Sequence, residues 1–171
     1  RVSETSARPV LAIVALALAF RLAFIAAAGA NAPPTSWGDD WHYDEIATRL
    51  VTEHRYVNQW FPPGYPVFLA GVYGVVGRNL VVVRLLQAVL GALACFLTIQ
   101  VGTRLFSRPV GLVAGLVLAL YPGHMYMSWR IMGETLYITM VLAAVLAALV
   151  LAERPRVLGC LGLGLLLGAA N

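Results

Sequence analysis

LVVVRLLQAVLGALACFLTIQVGTRLF, residues 80 to 106, contains no acidic residue and only two charges, Arg84 near its start and Arg104 near its end. A helix needs about 20 apolar residues to cross the hydrocarbon of a bilayer, and this run is long enough. Outward from it lie further runs of the same kind. Val10–Ala28 has a single charge, Arg21. Another run starts at Val110 and reaches at least Tyr121; Thr135–Ala152 follows, and a fifth opens at Val157. Tyr65–Gly77 is apolar but too short to cross, so it is expected at the interface or dipping in and out.

Composition agrees with this reading. Hydrophobic residues make up 60% of the chain against roughly 45–50% in soluble domains, and only 12% are charged. Mean hydropathy is +0.80. The expected fold is all-α: a polytopic membrane protein of about five transmembrane helices, with residues 1–171 forming one transmembrane module. The chain opens on Arg1 and stops at Asn171, straight after an apolar run, so it reads as a piece of something longer. A net charge of +4 raises the question of nucleic acid, but the arginines are scattered and form no basic run. Cys95 and Cys160 lie inside apolar runs and read as small hydrophobes.

Proline marks the joints. Pro9, Pro109 and Pro155 stand just before the first, third and fifth runs, where a first helical turn tolerates them. Pro33, Pro34, Pro62, Pro63 and Pro66 fall between the first two runs, in the only long polar segment, 29 to 79. Arg1 and Arg8 with the small residues AAAGANA resemble a signal peptide, but Arg21 interrupts the apolar core and more spans follow. The short connections hold Arg1 and Arg8, Arg104 and Arg108, then Arg154 and Arg156, and these alternate to one side. The positive-inside rule makes that side cytoplasmic and puts segment 29–79 and the turn from Pro122 to Glu134 on the outer face of a cell membrane.

Four of the eight acidic residues, Asp39, Asp40, Asp44 and Glu45, crowd into that outer segment. Tyr43, Ile46, Ala47, Leu50 and Val51 form one helical stripe there, and Glu45, Thr48, Arg49 and Thr52 the other. This is the pattern of a helix lying on the membrane, with Asp39 as its N-cap and a Glu45–Arg49 pair at i,i+4. Capping and the helix dipole would account for Asp39 and Asp40 without chemistry. Asp44 and Glu45 read as solvated. Glu134 opens a span at the same level, where a carboxylate is costly unless it faces a polar cavity or the interface. Arg130, four residues earlier, is placed either to pair with Glu134 or, like Arg84, to grip a phosphate. Arg21 lies deeper and is expected to snorkel. His42, His54 and His124 have no metal-ligand spacing and read as lone polar residues.

The order of motifs carries a resemblance. Asp39-Asp40 precedes Tyr43 and IA at 46–47. FPPGYPVFLAGVYGVVG at 61–77, VRLLQAVLGAL at 83–93 and LF at 105–106 follow. LYP at 120–122 leads through Ser128 and Ile131 to ETL at 134–136. The chain resembles the N-terminal half of polyprenyl-phosphate-dependent glycosyltransferases of the GT-C fold, in particular bacterial relatives of protein O-mannosyltransferases and of the aminoarabinose transferase acting on lipid A. The resemblance implies inverting transfer of one sugar from a polyprenyl-phosphate donor to an acceptor on the extracytoplasmic face. It makes Asp39, spaced D-x-x-x-Y with Tyr43, the base and Glu134 a second acid. Asp40, Tyr43, Tyr65, Arg84 and Arg130 then surround the substrate, with Arg84 on the lipid-phosphate side. A divalent metal on Asp39 and Glu134 stays open, since relatives differ. Full-length members add further spans and outer domains. Two other readings compete: a transporter, though ionisable groups gather at one face with only Arg21 deeper, and a non-catalytic subunit of a cell-envelope assembly.

Overall fold

The computed structural model describes residues 7–36, 38–56 and 60–153, together with positions 159, 161, 162, 164 and 168. Seven helices follow in order: α1 (Arg8–Ala28), α2 (Asp39–Glu53), α3 (Gly64–Val76), α4 (Leu80–Leu105), α5 (Arg108–Leu120), α6 (Pro122–Trp129) and α7 (Glu134–Glu153). No strand occurs among the described residues, so the architecture is all-α. α1, α4 and α7 are long and apolar enough to cross a membrane. α5 and α6 meet at a bend of 55°, the geometry of either a broken fourth span or a re-entrant loop. The expected fifth run falls mostly outside the described residues.

The sequence explains where the elements begin and end. Proline lies in the first turn of α1, α5 and α6, where its missing N–H has no intrahelical partner to lose. Asn79 caps α4, its side chain accepting from the Val81 and Val82 amides at 3.1 and 3.2 Å. Gly77 ends α3 at φ +73°, a backbone setting that a side chain would strain. α2 starts where the amphipathic stripe begins, but Gly38 rather than Asp39 holds the cap position, and no side chain bonds the first amides. Asp39 is the first helical residue, so its carboxylate is left free.

α4 is the hub. It packs against α1, α5 and α7 and is buried along its length. The α4–α5 contact depends on missing side chains. Gly111 and Gly115 of α5 stand four apart, as in close membrane helix pairs. A Cβ on Gly111 would come within 2.5 Å of the Ile99 carbonyl oxygen and 2.8 Å of the Thr103 amide. Those are backbone atoms and cannot swing aside. Gly111→Ala is therefore expected to cost about 3 kcal/mol of overpacking, less about 1 kcal/mol of gained helix propensity. Thermal unfolding in micelles checks this against Gly74→Ala, which meets nothing within 4 Å and should leave the midpoint level or higher.

The two ends of the bundle differ. At one, the Arg104 and Glu153 side chains meet at 2.8 Å. A groove of about 360 Å³ there joins Ala7, Gln100, Thr103 and Arg108. At the other end α2, α3, the start of α4 and the α6–α7 turn share a core of Ala47, Tyr65, Leu69, Tyr73, Leu80, Val83 and Ile131. That core seats the polar segment on the spans.

Arg21 does not snorkel. It is fully buried: Nη1 donates to the Ala17 carbonyl at 2.8 Å, and Nη2 lies 2.6 Å from His124 Nδ1. The opening is made by Gly91, whose added Cβ would collide with the Arg21 guanidinium. His124 is accordingly no lone histidine but the link that ties α6 to α1.

Candidate active site

α2 is bolted down at two points. Asp44 is buried, not solvated: it accepts from the Tyr73 hydroxyl at 2.6 Å and from Arg78 Nε and Nη2 at 3.0 and 2.6 Å. This fixes the middle of α2 to α3 and to the loop before α4. Asp40 fixes the start. It accepts from the Thr35 amide at 2.9 Å, the Thr35 hydroxyl at 2.7 Å and Arg130 Nη2 at 2.9 Å. Gly38 allows this closure, since a Cβ there would lie 2.5 Å from Asp40 Oδ1 and 2.8 Å from Arg130 Nη2. Glu45 makes the expected exposed pair with Arg49 at 2.5 Å.

Arg130 therefore pairs with a residue 90 positions away, not with Glu134. The physical reason is the break between α6 and α7. Residues 130–133 are not helical, so the i,i+4 geometry that would join Arg130 to Glu134 never forms. The Arg130 guanidinium also lies 5.7 Å over the Tyr126 ring, and its Nε is buried without a partner among the described residues.

Arg84 is occupied elsewhere than expected. Its Nε donates to the Trp129 carbonyl at 2.9 Å, Nη1 to Ala30 at 2.8 Å and Nη2 to Ala32 at 2.7 Å. The guanidinium lies 5.1 Å over the Trp129 ring. Gln87, one turn on, donates to the Ser128 and Arg130 carbonyls at 3.0 and 2.6 Å and accepts from the Tyr65 hydroxyl. A helix leaves its last carbonyls unpaired, and those at the end of α6 are partly or fully buried. VRLLQ supplies their donors. Arg84 and the Tyr65 hydroxyl thus face inward, to the end of α6 and to α4. Gln87, Thr35 and Arg78 were not singled out in the sequence. Only Gln87 had a signal, its spacing of three from Arg84 on one apolar helix.

Of the candidate acids, Asp39 and Glu134 remain unspent. Asp39 is exposed and makes no hydrogen bond among the described residues. Glu134, at the head of α7, keeps Oε2 buried without a partner. Tyr43 relates them. Its ring packs edge-on against Tyr65 at 5.0 Å and Phe61 at 4.9 Å. Burial raises its phenol above the ordinary value, and the negative charges of Glu134 and then Asp39 raise it further. Gly133, directly before Glu134, lies against Tyr65, the ring that Tyr43 packs on. No cluster of three or more His, Cys, Asp or Glu residues that could hold a metal ion occurs among the described residues.

Apolar spans capped at one end by a polar segment with an aromatic floor and a buried arginine define a polytopic membrane protein. The family model for dolichyl-phosphate-mannose-protein mannosyltransferases matches residues 61–171, and the chain belongs to that family of GT-C membrane glycosyltransferases. The matched part holds Tyr65, Arg84, Arg130 and Glu134; Asp39, Asp40 and Tyr43 precede it. No curated protein and no solved structure gives a significant match.

Proposed function

We propose that the chain forms the catalytic N-terminal module of an inverting glycosyltransferase. It moves one sugar from a polyprenyl-phosphate donor to a hydroxyl acceptor on the extracytoplasmic face of the cell membrane. The family supplies the donor class. The observation that supports the assignment of residues is that Asp39 and the buried Oε2 of Glu134 have no hydrogen-bond partner among the described residues, while Asp40 and Asp44 are taken up by the fold.

Inversion requires one displacement at the anomeric carbon. The acceptor oxygen forms the new bond, the bond to the phosphate oxygen breaks, and the acceptor proton must go to a base. Asp39 is that base: it is exposed to the acceptor side and committed to no other bond. Glu134 is at the drier edge, where its free oxygen takes a hydrogen bond from the sugar and faces the positive charge that develops on the ring. Arg130 stands on the phosphate side. Its Nε is the donor left over for the oxygen that departs with the bonding pair. Arg84 and Gln87 position this group by holding the end of α6, and Asp44 positions Asp39 by holding α2.

The test uses the whole protein in vesicles with a labelled polyprenyl-phosphate sugar. Asp39→Asn should lower kcat/KM for sugar transfer about a hundred-fold, the lower range for a lost general base. Thermal stability should stay level, because no hydrogen bond is lost. Undiminished transfer by Asp39→Asn would overturn the base assignment, and no sugar release by the unaltered protein would overturn the reaction.

A further inference from the structure

A continuous row of rings runs through the site. Trp41 meets His42 edge-on at 5.0 Å, and His42 stacks on Phe61 at 5.4 Å with planes 29° apart. Phe61 meets Tyr43, Tyr43 meets Tyr65, and Tyr65 stacks on Phe68 at 5.9 Å. The inner half belongs to the core, with Tyr65 only 6% exposed. The outer half does not. Trp41 is 40% exposed, His42 is exposed beside it, and Asp39 stands two residues before Trp41 in the first turn of α2.

Lipid does not account for that outer end. The same helix carries Asp39, His42, Glu45, Thr48 and Arg49, and the Glu45–Arg49 pair is exposed on it. A helix this polar is wetted on the face that shows these residues. An extended peptide is also a poor occupant. A strand-adding peptide binds through free backbone N–H and C=O groups along an edge, and beyond its first turn the backbone of α2 is bonded within its own helix. A pyranose fits. Its axial C–H groups form an apolar face that lies on an aromatic ring, and its hydroxyls turn outward to polar groups at the rim. Trp41 supplies the exposed ring surface, His42 and Phe61 back it from the core side, and Asp39 and His42 supply the rim.

We infer that the exposed end of this row, Trp41–His42–Phe61 beside Asp39, is a carbohydrate-binding subsite that stacks one pyranose ring next to the catalytic acid. The inference rests on the proposed transfer reaction and deepens it, because the ring belongs either to the acceptor or to the donor's own sugar.

The experiment uses saturation-transfer NMR on the whole protein in micelles, with methyl α-mannopyranoside and methyl β-glucopyranoside as separate probes. Ring C–H protons of at least one glycoside should saturate. Trp41→Leu, which keeps the bulk but not the ring, should weaken binding about five-fold, the worth of one aromatic contact. Trp41→Phe should restore most of it, and matching thermal midpoints show that each variant folds. Donor KM, measured with the labelled polyprenyl-phosphate sugar, separates the two sources. An increase in Trp41→Leu assigns the ring to the donor, and an unchanged donor KM assigns it to the acceptor. No saturation in the unaltered protein overturns the subsite, as does equal saturation in Trp41→Leu. Trp41-dependent binding of a threonine-bearing peptide in place of both glycosides overturns the carbohydrate assignment. Glycoside binding without any sugar transfer would remove the transfer reaction and leave the subsite standing.

Discussion

Arg84→Met should cost the fold about 4 kcal/mol, read as a large fall in the unfolding midpoint of the whole protein in micelles. The estimate follows from what the side chain leaves behind. Three carbonyls, of Ala30, Ala32 and Trp129, lose their donor in one step. Each orphaned acceptor costs about 1–3 kcal/mol, below the top of that range here because the three bonds are only partly buried. Removing a buried charge that has no carboxylate partner returns some of that sum, which brings the net to about 4 kcal/mol. Arg84→Lys should fall between, since one ammonium cannot hold a fork of carbonyls from two segments. The result also decides between two jobs for Arg84. A residue kept for the donor phosphate would lose donor affinity on substitution and leave the midpoint where it was. A residue that closes α6 onto the end of α1 loses the midpoint first, and activity follows because Arg130 and Glu134 come directly after α6.

The same contrast shows what the sequence makes legible. Properties that depend on near neighbours were readable: the apolar spans, the short α3, the stripe of α2 and the Glu45–Arg49 pair one turn apart. Properties that depend on a distant partner were not. Asp44 reads as solvated because nothing in DEIATRL announces Arg78, 34 residues on. Arg21 reads as a snorkelling arginine because its partner, His124, is 103 residues away. Arg130 and Glu134 misled differently. Their spacing of four is right for a pair, but the chain breaks between them, and Met-Gly at 132–133 was the sign of that break. Gly111 and Gly115 were legible in principle, since small residues four apart in an apolar run mark a close crossing. The two candidate acids were chosen otherwise, Glu134 by residue type and level and Asp39 by its spacing to Tyr43 in the resemblance. The structure leaves those two without partners, while Asp40 and Asp44 are taken up by the fold.

Asp40 tests that division of labour. Its side chain is only 4% exposed and that of Arg130 15%, so the pair is shielded from water and salt. Removing one partner of such a pair costs about 3–5 kcal/mol, because the other charge stays behind uncompensated. Asp40→Ala is expected at the low end, about 3 kcal/mol, since Tyr126 still lies against the guanidinium and its hydroxyl still accepts from Nη1 at 3.2 Å. Part of the loss is separate from the ion pair: the Thr35 amide and hydroxyl also lose their acceptor. A double-mutant cycle with Arg130→Met resolves the two. The double variant should be less destabilised than the sum of the singles, by about 2 kcal/mol of coupling between the charges. Asp40→Asn sharpens the comparison with its neighbour. It keeps the shape and an acceptor for Thr35 but not the charge, so it should lower the midpoint and, below that midpoint, retain most sugar transfer. Asp39→Asn should do the reverse. If Asp40→Asn instead abolished transfer at an unchanged midpoint, the base would be Asp40, and Arg130 would be its partner in catalysis rather than in folding.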